Sequence, residues 1–162
     1  MNDVSVPDTL LAAAVPAGFR PIPLGPGGSF MDITGPLYGK VEGERLMLGF
    51  RVEPRHCNPL NICHGGMLMT FADMMFGAGC NFQAKLGRFL PTVNLTADFL
   101  APAPLGAWVE GRLDVLRTTR NLVFGQGLVT ADGTLVLRAS GIMKVGSSPA
   151  AGGGFDWKKL LG

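Results

Sequence analysis

The run GGMLMTFADMMFGAGCNFQ, residues 65–83, decides the fold. Its apolar side chains fall on nearly every side of a helical repeat instead of one stripe. Gly65-Gly66 opens the run and Gly87 follows its end, so the spacing predicts a helix over Gly65–Gln83. A helix without a polar face has to be wrapped by something. The flanking sequence offers strands for that purpose and no second long helix.

Working outward, Leu46, Leu48, Phe50 and Val52 alternate with Met47, Gly49 and Arg51, the pattern of a half-buried strand. After the helix, Thr92–Leu100 reads as a strand ended by Pro102 and Pro104. Ala107–Leu116 alternates again, and Asn121–Thr130 and Thr134–Val145 are strands joined through the turn residues Ala131-Asp132-Gly133. The order is strand, long apolar helix, then four strands. The fold class is therefore α+β, with a curved antiparallel sheet around one helix.

Three regions are expected along the chain. Residues 1–40 carry Pro16, Pro21, Pro23, Pro26 and Pro36 among glycines and read as an arm, with a short helix near Asp8–Ala14. Residues 41–146 hold the helix and strands. Residues 147–162 combine the flexible linker SSPAAGGG with a short apolar and basic tail, Phe155–Leu161.

The 162 residues are 47% hydrophobic and 16% charged, a balance that excludes intrinsic disorder and suits one domain. With 14 Lys+Arg against 12 Asp+Glu, the formal charge of +2 gives no reason to expect nucleic acid or an anionic membrane as partner. So little charge suggests that another copy of the chain covers part of the surface. The apolar run Leu10–Val15 is too short to span a bilayer, and no Lys or Arg precedes Arg20. A reducing cytoplasm with free Cys57, Cys63 and Cys80 is the expectation. His56-Cys57 and Cys63-His64 make an H-C-x5-C-H arrangement, but zinc sites usually bring cysteines about two to four residues apart. No metal and no cofactor are expected.

Asp73 is the only charged residue between His64 and Lys85. An ionised carboxylate in such a helix is costly unless it is paired or faces a wet cavity, so a functional acid is the economical account. Gly65 stands where the chain enters the helix. Free N–H groups and a partial positive charge there can stabilise a developing oxyanion. Eight residues separate Gly65 from Asp73, about 12 Å along the axis. A carbonyl carbon and its nucleophile must approach to about 3.5 Å. The two residues of one helix therefore do not easily serve one carbonyl, whereas a twofold dimer supplying Asp73 from the other subunit lets them do so.

Asn58, His64-Gly65-Gly66, Ala72-Asp73 and Asp98-Phe99-Leu100-Ala101-Pro102, at this spacing, resemble the PaaI-type branch of the hot-dog acyl-CoA thioesterases. The match covers roughly residues 40–145. The resemblance implies a long helix wrapped by a five- or six-stranded antiparallel sheet, and a homodimer commonly paired again into a tetramer, with sites at the dimer interface. It implies hydrolysis of a small or medium acyl- or aryl-CoA to free acid and coenzyme A. By position, Gly65 N–H would polarise the thioester carbonyl and the partner's Asp73 would activate water or attack directly. Asn58 would hold the nucleophile or substrate, His64 would sit near the thioester sulfur, and Thr92 would help place the water. Arg120 and Asn121, in Arg117-Thr-Thr-Arg120-Asn121, fall where relatives often put a basic residue near the nucleotide of coenzyme A. Arg suits phosphate through its planar fork.

Two alternatives keep the fold. Asn58-Pro59-Leu60 is similar to the hydratase/dehydratase branch, where an Asp two residues before the Asn and a His three after it form the acid/base pair. Here those positions hold His56 and Asn61, so proton transfer at an α-carbon lacks an agent. A non-catalytic acyl-CoA-binding or sensing protein would keep the groove, but it gives no reason for Asp73. Trp108, Trp157 and the methionines 67, 69, 74 and 75 read as packing residues.

Overall fold

The computed structural model describes residues 14–23, 29–148 and 157–161. Seven strands and three helices follow in the order β1 (Arg20–Pro21), α1 (Phe30–Thr34), β2 (Tyr38–Glu42), β3 (Arg45–Arg51), α2 (Gly65–Ala84), β4 (Thr92–Phe99), β5 (Trp108–Thr118), β6 (Leu122–Ala131), β7 (Thr134–Lys144) and α3 (Trp157–Leu161). The strands form one antiparallel sheet in the order β1-β2-β3-β5-β6-β7-β4. β4 follows α2 in sequence yet lies at the far edge, so the chain crosses the whole sheet beneath it. This is the α+β hot-dog architecture.

The helix forms within a residue of its expected bounds. His64 caps its start, Nδ1 accepting from Gly66 N–H at 2.9 Å, and Lys85 ends it in the left-handed region at φ 53°. Met67, Leu68, Phe71, Ala72, Met75, Phe76, Gly79 and Cys80 are buried against the sheet. Close packing there depends on glycines the sheet presents to the helix. A Cβ on Gly127 would lie 2.5 Å from Met75 Cε, and one on Gly141 would lie 2.7 Å from Phe76 Cδ1. Such overlaps would force the helix off the sheet.

The sheet has two strands beyond the five read from the sequence. β1 and most of β2 come from the Pro/Gly-rich stretch before residue 41, where Tyr38–Lys40 pair with Gly49–Met47. Two residues, one of them proline, and a five-residue strand containing Gly39 leave too little alternation to read. Helix α3 returns the tail to this edge. Leu161 is buried, and a Cβ on Gly39 would meet its Cδ1 at 2.8 Å. The short helix expected near Asp8–Ala14 and the linker beyond Ser148 lie outside the described residues, apart from Ala14. No helix among the described residues is long and apolar enough to cross a membrane.

Candidate active site

The wrapping of α2 is incomplete, and the gap defines the site. Gly66 and Asp73 are exposed, and Met69, Thr70 and Gly77 are half-buried. At this spacing they share one helix face. β4, the edge strand beside that face, has no further strand on its outer side among the described residues, and Val93, Phe99 and the following Leu100 are 58%, 53% and 52% exposed. An apolar strand edge next to an open helix face is a surface that soluble chains rarely leave uncovered.

Asp73 is held by the strand. Thr92 Oγ1 donates to Asp73 Oδ1 at 2.5 Å. A break in the β4–β7 register between Thr92 and Asn94 accompanies this contact. Such a bulge re-aims the side chains on either side of it. The carboxylate thus has a fixed partner while keeping its exposure.

The other end of the helix gathers Asn58, His64 and Gly65. Asn58 Oδ1 accepts from Leu60 N–H at 2.9 Å and Ile62 N–H at 3.5 Å, closing the loop that leads into α2. Its Nδ2 has no hydrogen bond among the described residues. Since His64 Nδ1 accepts from Gly66, the neutral ring carries its proton on Nε2, on an exposed side chain. Gly65 N–H, the first of the helix, has no acceptor among the described residues. The Phe99 ring borders it, with Cε1 lying 3.3 Å from where a Gly65 Cβ would be.

The structure therefore brings Thr92 to Asp73, while the loop closed by Asn58 leads through His64 into Gly65, about two helical turns away. Arg120 and Asn121 sit on the turn before β6. Asn121 O accepts from Val145 N–H at 2.8 Å, and Pro91 O accepts from Lys144 N–H at 2.8 Å, which sets this turn at the Thr92 end of β4. Arg120 is exposed and makes no ion pair among the described residues. Asp98 of the Asp98–Pro102 motif is committed elsewhere, as an ion pair with Arg138 across β4 and β7.

The sequence marks Phe99 only as part of the Asp98–Pro102 motif; in the structure its ring borders the Gly65 end of α2. His56 is buried, its Nδ1 accepting from Glu53 N–H at 3.0 Å, with the Thr34 and Arg51 carbonyls beside the ring. Burial, more than Arg55, pushes its pKa down, and nearby Glu53 offsets part of that. Nε2 has no partner of good geometry. Both histidine Nδ1 atoms are taken, and no group of three or more His, Cys, Asp or Glu that could hold a metal ion forms among the described residues.

Comparison with known proteins agrees with this fold. The thioesterase superfamily model matches residues 60–137. A predicted esterase of Pseudomonas aeruginosa is 31% identical over 129 residues, covering 79% of this chain and 95% of that protein. Zebra fish thioesterase superfamily member 2 superposes with a TM-score of 0.66 at 20% identity, over 74% of this chain and 88% of that one. A variant of the phenylacetic acid degradation protein PaaI from Thermus thermophilus gives 0.62 at 23%, over 72% and 97%. A hypothetical thioesterase of Streptococcus pneumoniae, solved with coenzyme A, gives 0.63 at 18%, over 70% and 91%. By sequence and by fold, the chain belongs to the thioesterase superfamily.

Proposed function

We propose that the protein is an acyl-CoA thioesterase that hydrolyses small or medium acyl- or aryl-CoA esters as a homodimer, itself able to pair into a tetramer. The observation that carries this reading is Asp73: the one carboxylate of an otherwise apolar helix, open to solvent and held by the Thr92 hydroxyl at 2.5 Å. A carboxylate placed this way is ready to take a proton from water or to attack a thioester carbonyl itself.

The Gly65 end of the helix completes the reaction. Gly65 N–H, at the positive end of α2, donates to the carbonyl oxygen as it becomes an oxyanion. Because about 12 Å of helix separates it from Asp73 of the same chain, the reacting pair comes from two subunits. The open α2 face and the β4 edge supply the surface on which they meet. Collapse of the tetrahedral intermediate breaks the C–S bond and expels the coenzyme A thiolate, towards which His64 Nε2–H can turn. Asn58 Nδ2 orients the acyl group or the water. Arg120, with Asn121, meets the phosphates of coenzyme A; the coenzyme A held by the Streptococcus pneumoniae neighbour supports that ligand class.

The test is a hydrolysis screen over a panel of acyl- and aryl-CoA esters with thiol release as readout, run on the wild type and on Asp73→Asn. Turnover by the wild type that Asp73→Asn loses supports the reading. Tight binding without turnover in the wild type would make the protein an acyl-CoA binder instead.

A further inference from the structure

Two thiols that the proposed chemistry does not use face each other just ahead of α2. Cys57 and Cys63 form an isolated antiparallel bridge at the neck of the loop 58–62. The main-chain bonds around them run from Asn58 N–H to Ile62 O at 2.9 Å and from His64 N–H to His56 O at 2.8 Å. The amides of the two cysteines point elsewhere, Cys57 N–H to Pro54 O and Cys63 N–H to Ala103 O. This is the narrow, non-hydrogen-bonded type of antiparallel pair. Opposed Cα atoms in such a pair lie about 4.5 Å apart, with both side chains on one face. A disulfide requires Cα atoms roughly 4.4–6.8 Å apart and Cβ atoms directed at one another. The register of the pair meets the Cα requirement.

We propose that Cys57 and Cys63 are a reversible disulfide site, oxidised by low-molecular-weight disulfides such as oxidised glutathione. Both are free thiols, Cys57 half-buried and Cys63 buried. Cys57, the more accessible, attacks one sulfur of the small disulfide as a thiolate and releases one glutathione thiolate. Cys63 then attacks the Cys57 sulfur and expels the second. Two protein thiols become one disulfide, and their protons go to the two departing thiolates. The small disulfide is reduced by two electrons to two thiols. Cys80, buried in α2, takes no part.

The bond closes the loop that carries Asn58 and leads directly into His64 and Gly65, so it clips the entrance to the helix. It replaces weak contacts: Cys57 S–H donates to Glu53 O at 3.4 Å and Cys63 S–H to His64 O at 3.9 Å. Burial raises the Cys57 thiol, and burial together with its neighbour Cys57 pushes Cys63 up to about 12. Both shifts lower the thiolate fraction near neutral pH and so slow the oxidation.

The experiment uses the folded full-length chain, incubated with excess oxidised glutathione, quenched with an alkylating reagent and examined by intact mass and non-reducing peptide mapping. The expected product has lost two hydrogens, carries a single alkylatable thiol and yields one peptide pair joined at Cys57 and Cys63. It reverts on reduction, forms unchanged in Cys80→Ser and fails to form in Cys57→Ser or Cys63→Ser. Three alkylatable thiols after exposure, a glutathione that persists on Cys57, or a bond involving Cys80 would each overturn the proposal. None of these readouts depends on hydrolytic activity.

Discussion

Thr92 Oγ1 donates to Asp73 Oδ1 across 2.5 Å, joining the edge strand β4 to the open face of α2. The contact spans 19 residues of sequence. It fixes the direction of a carboxylate that would otherwise rotate freely in water. A hydrogen bond to a charged group is worth about 1.5–3 kcal/mol, and exposure puts this one at the lower end.

Thr92→Val keeps the branched shape and removes the hydroxyl. Steady-state hydrolysis should show kcat reduced by about tenfold, the kinetic equivalent of about 1.4 kcal/mol, with KM little changed. Thr92→Ser should recover most of the loss. A Thr92→Val enzyme with unchanged kcat would leave Thr92 a bystander.

Arg120→Ala tests the coenzyme A end. Its guanidinium is exposed and unpaired among the described residues, so truncation should leave the melting temperature alone. If Arg120 binds phosphate in ground and transition states alike, KM rises several-fold and kcat holds. The effect should shrink in high salt, as exposed charge contacts do. A KM indifferent to both changes would remove Arg120 from the site.

Much of this molecule was legible in the sequence, for reasons that also explain the rest. The helix could be read because Gly65 and Gly87 bracket a run apolar on nearly every side, and the five strands from their alternation, terminating prolines and turn residues. Asp73 was legible as the only charge in its run. The Thr92 contact was not, since it depends on a bulge and a crossover that no local pattern encodes; the family resemblance gave Thr92 only a part in placing water. The sheet glycines that admit Met75 and Phe76 sit in strand sequence like any other glycine. Cys57 and Cys63 were weighed as metal ligands by their spacing, whereas what relates them is cross-strand register.

Gln83 shows a similar tertiary role. Its Nε2 donates to Leu113 O at 2.5 Å and its Oε1 accepts from Val115 N–H at 2.9 Å, satisfying β5 where the register slips between Val115 and Arg117. Gln83→Met preserves the volume but strands both backbone groups. Each such orphan costs about 1–3 kcal/mol when buried, so denaturant unfolding should show a loss of about 2 kcal/mol for this half-buried pair. Activity per folded molecule should persist. An unchanged midpoint would mean that water replaces the side chain at no cost.

His56 makes stability depend on pH. Its folded pKa lies below its usual 6.5, chiefly because burial penalises the imidazolium. Below that usual value the unfolded chain binds a proton that the folded chain resists, so stability falls as pH drops from about 6.5 towards the folded pKa. His56→Asn retains an acceptor near the Nδ1 position and removes the titration. Melting temperatures between about pH 7 and pH 5 should fall less steeply in the variant than in the wild type. Parallel curves would show that His56 contributes nothing to acid sensitivity.

The central claim is that Gly65 and Asp73 act together from two subunits. Asp73→Asn removes the charge, and hydrolysis should fall by about two to four orders of magnitude. Gly65→Pro removes the N–H at the first helical position, where proline is tolerated, and His64 already has the extended conformation (φ −60°, ψ 137°) that proline requires of the residue before it. A Cβ at this position meets the exposed Phe99 ring at 3.3 Å, which has to yield slightly. Each variant alone should be nearly inactive. After the two are mixed and their subunits exchanged, half of the dimers are mixed, and each mixed dimer holds one site with both native residues. Activity should therefore return to about a quarter of the wild-type level. A mixture shown by native mass to contain the mixed dimer, yet no more active than its parents, would contradict the shared site.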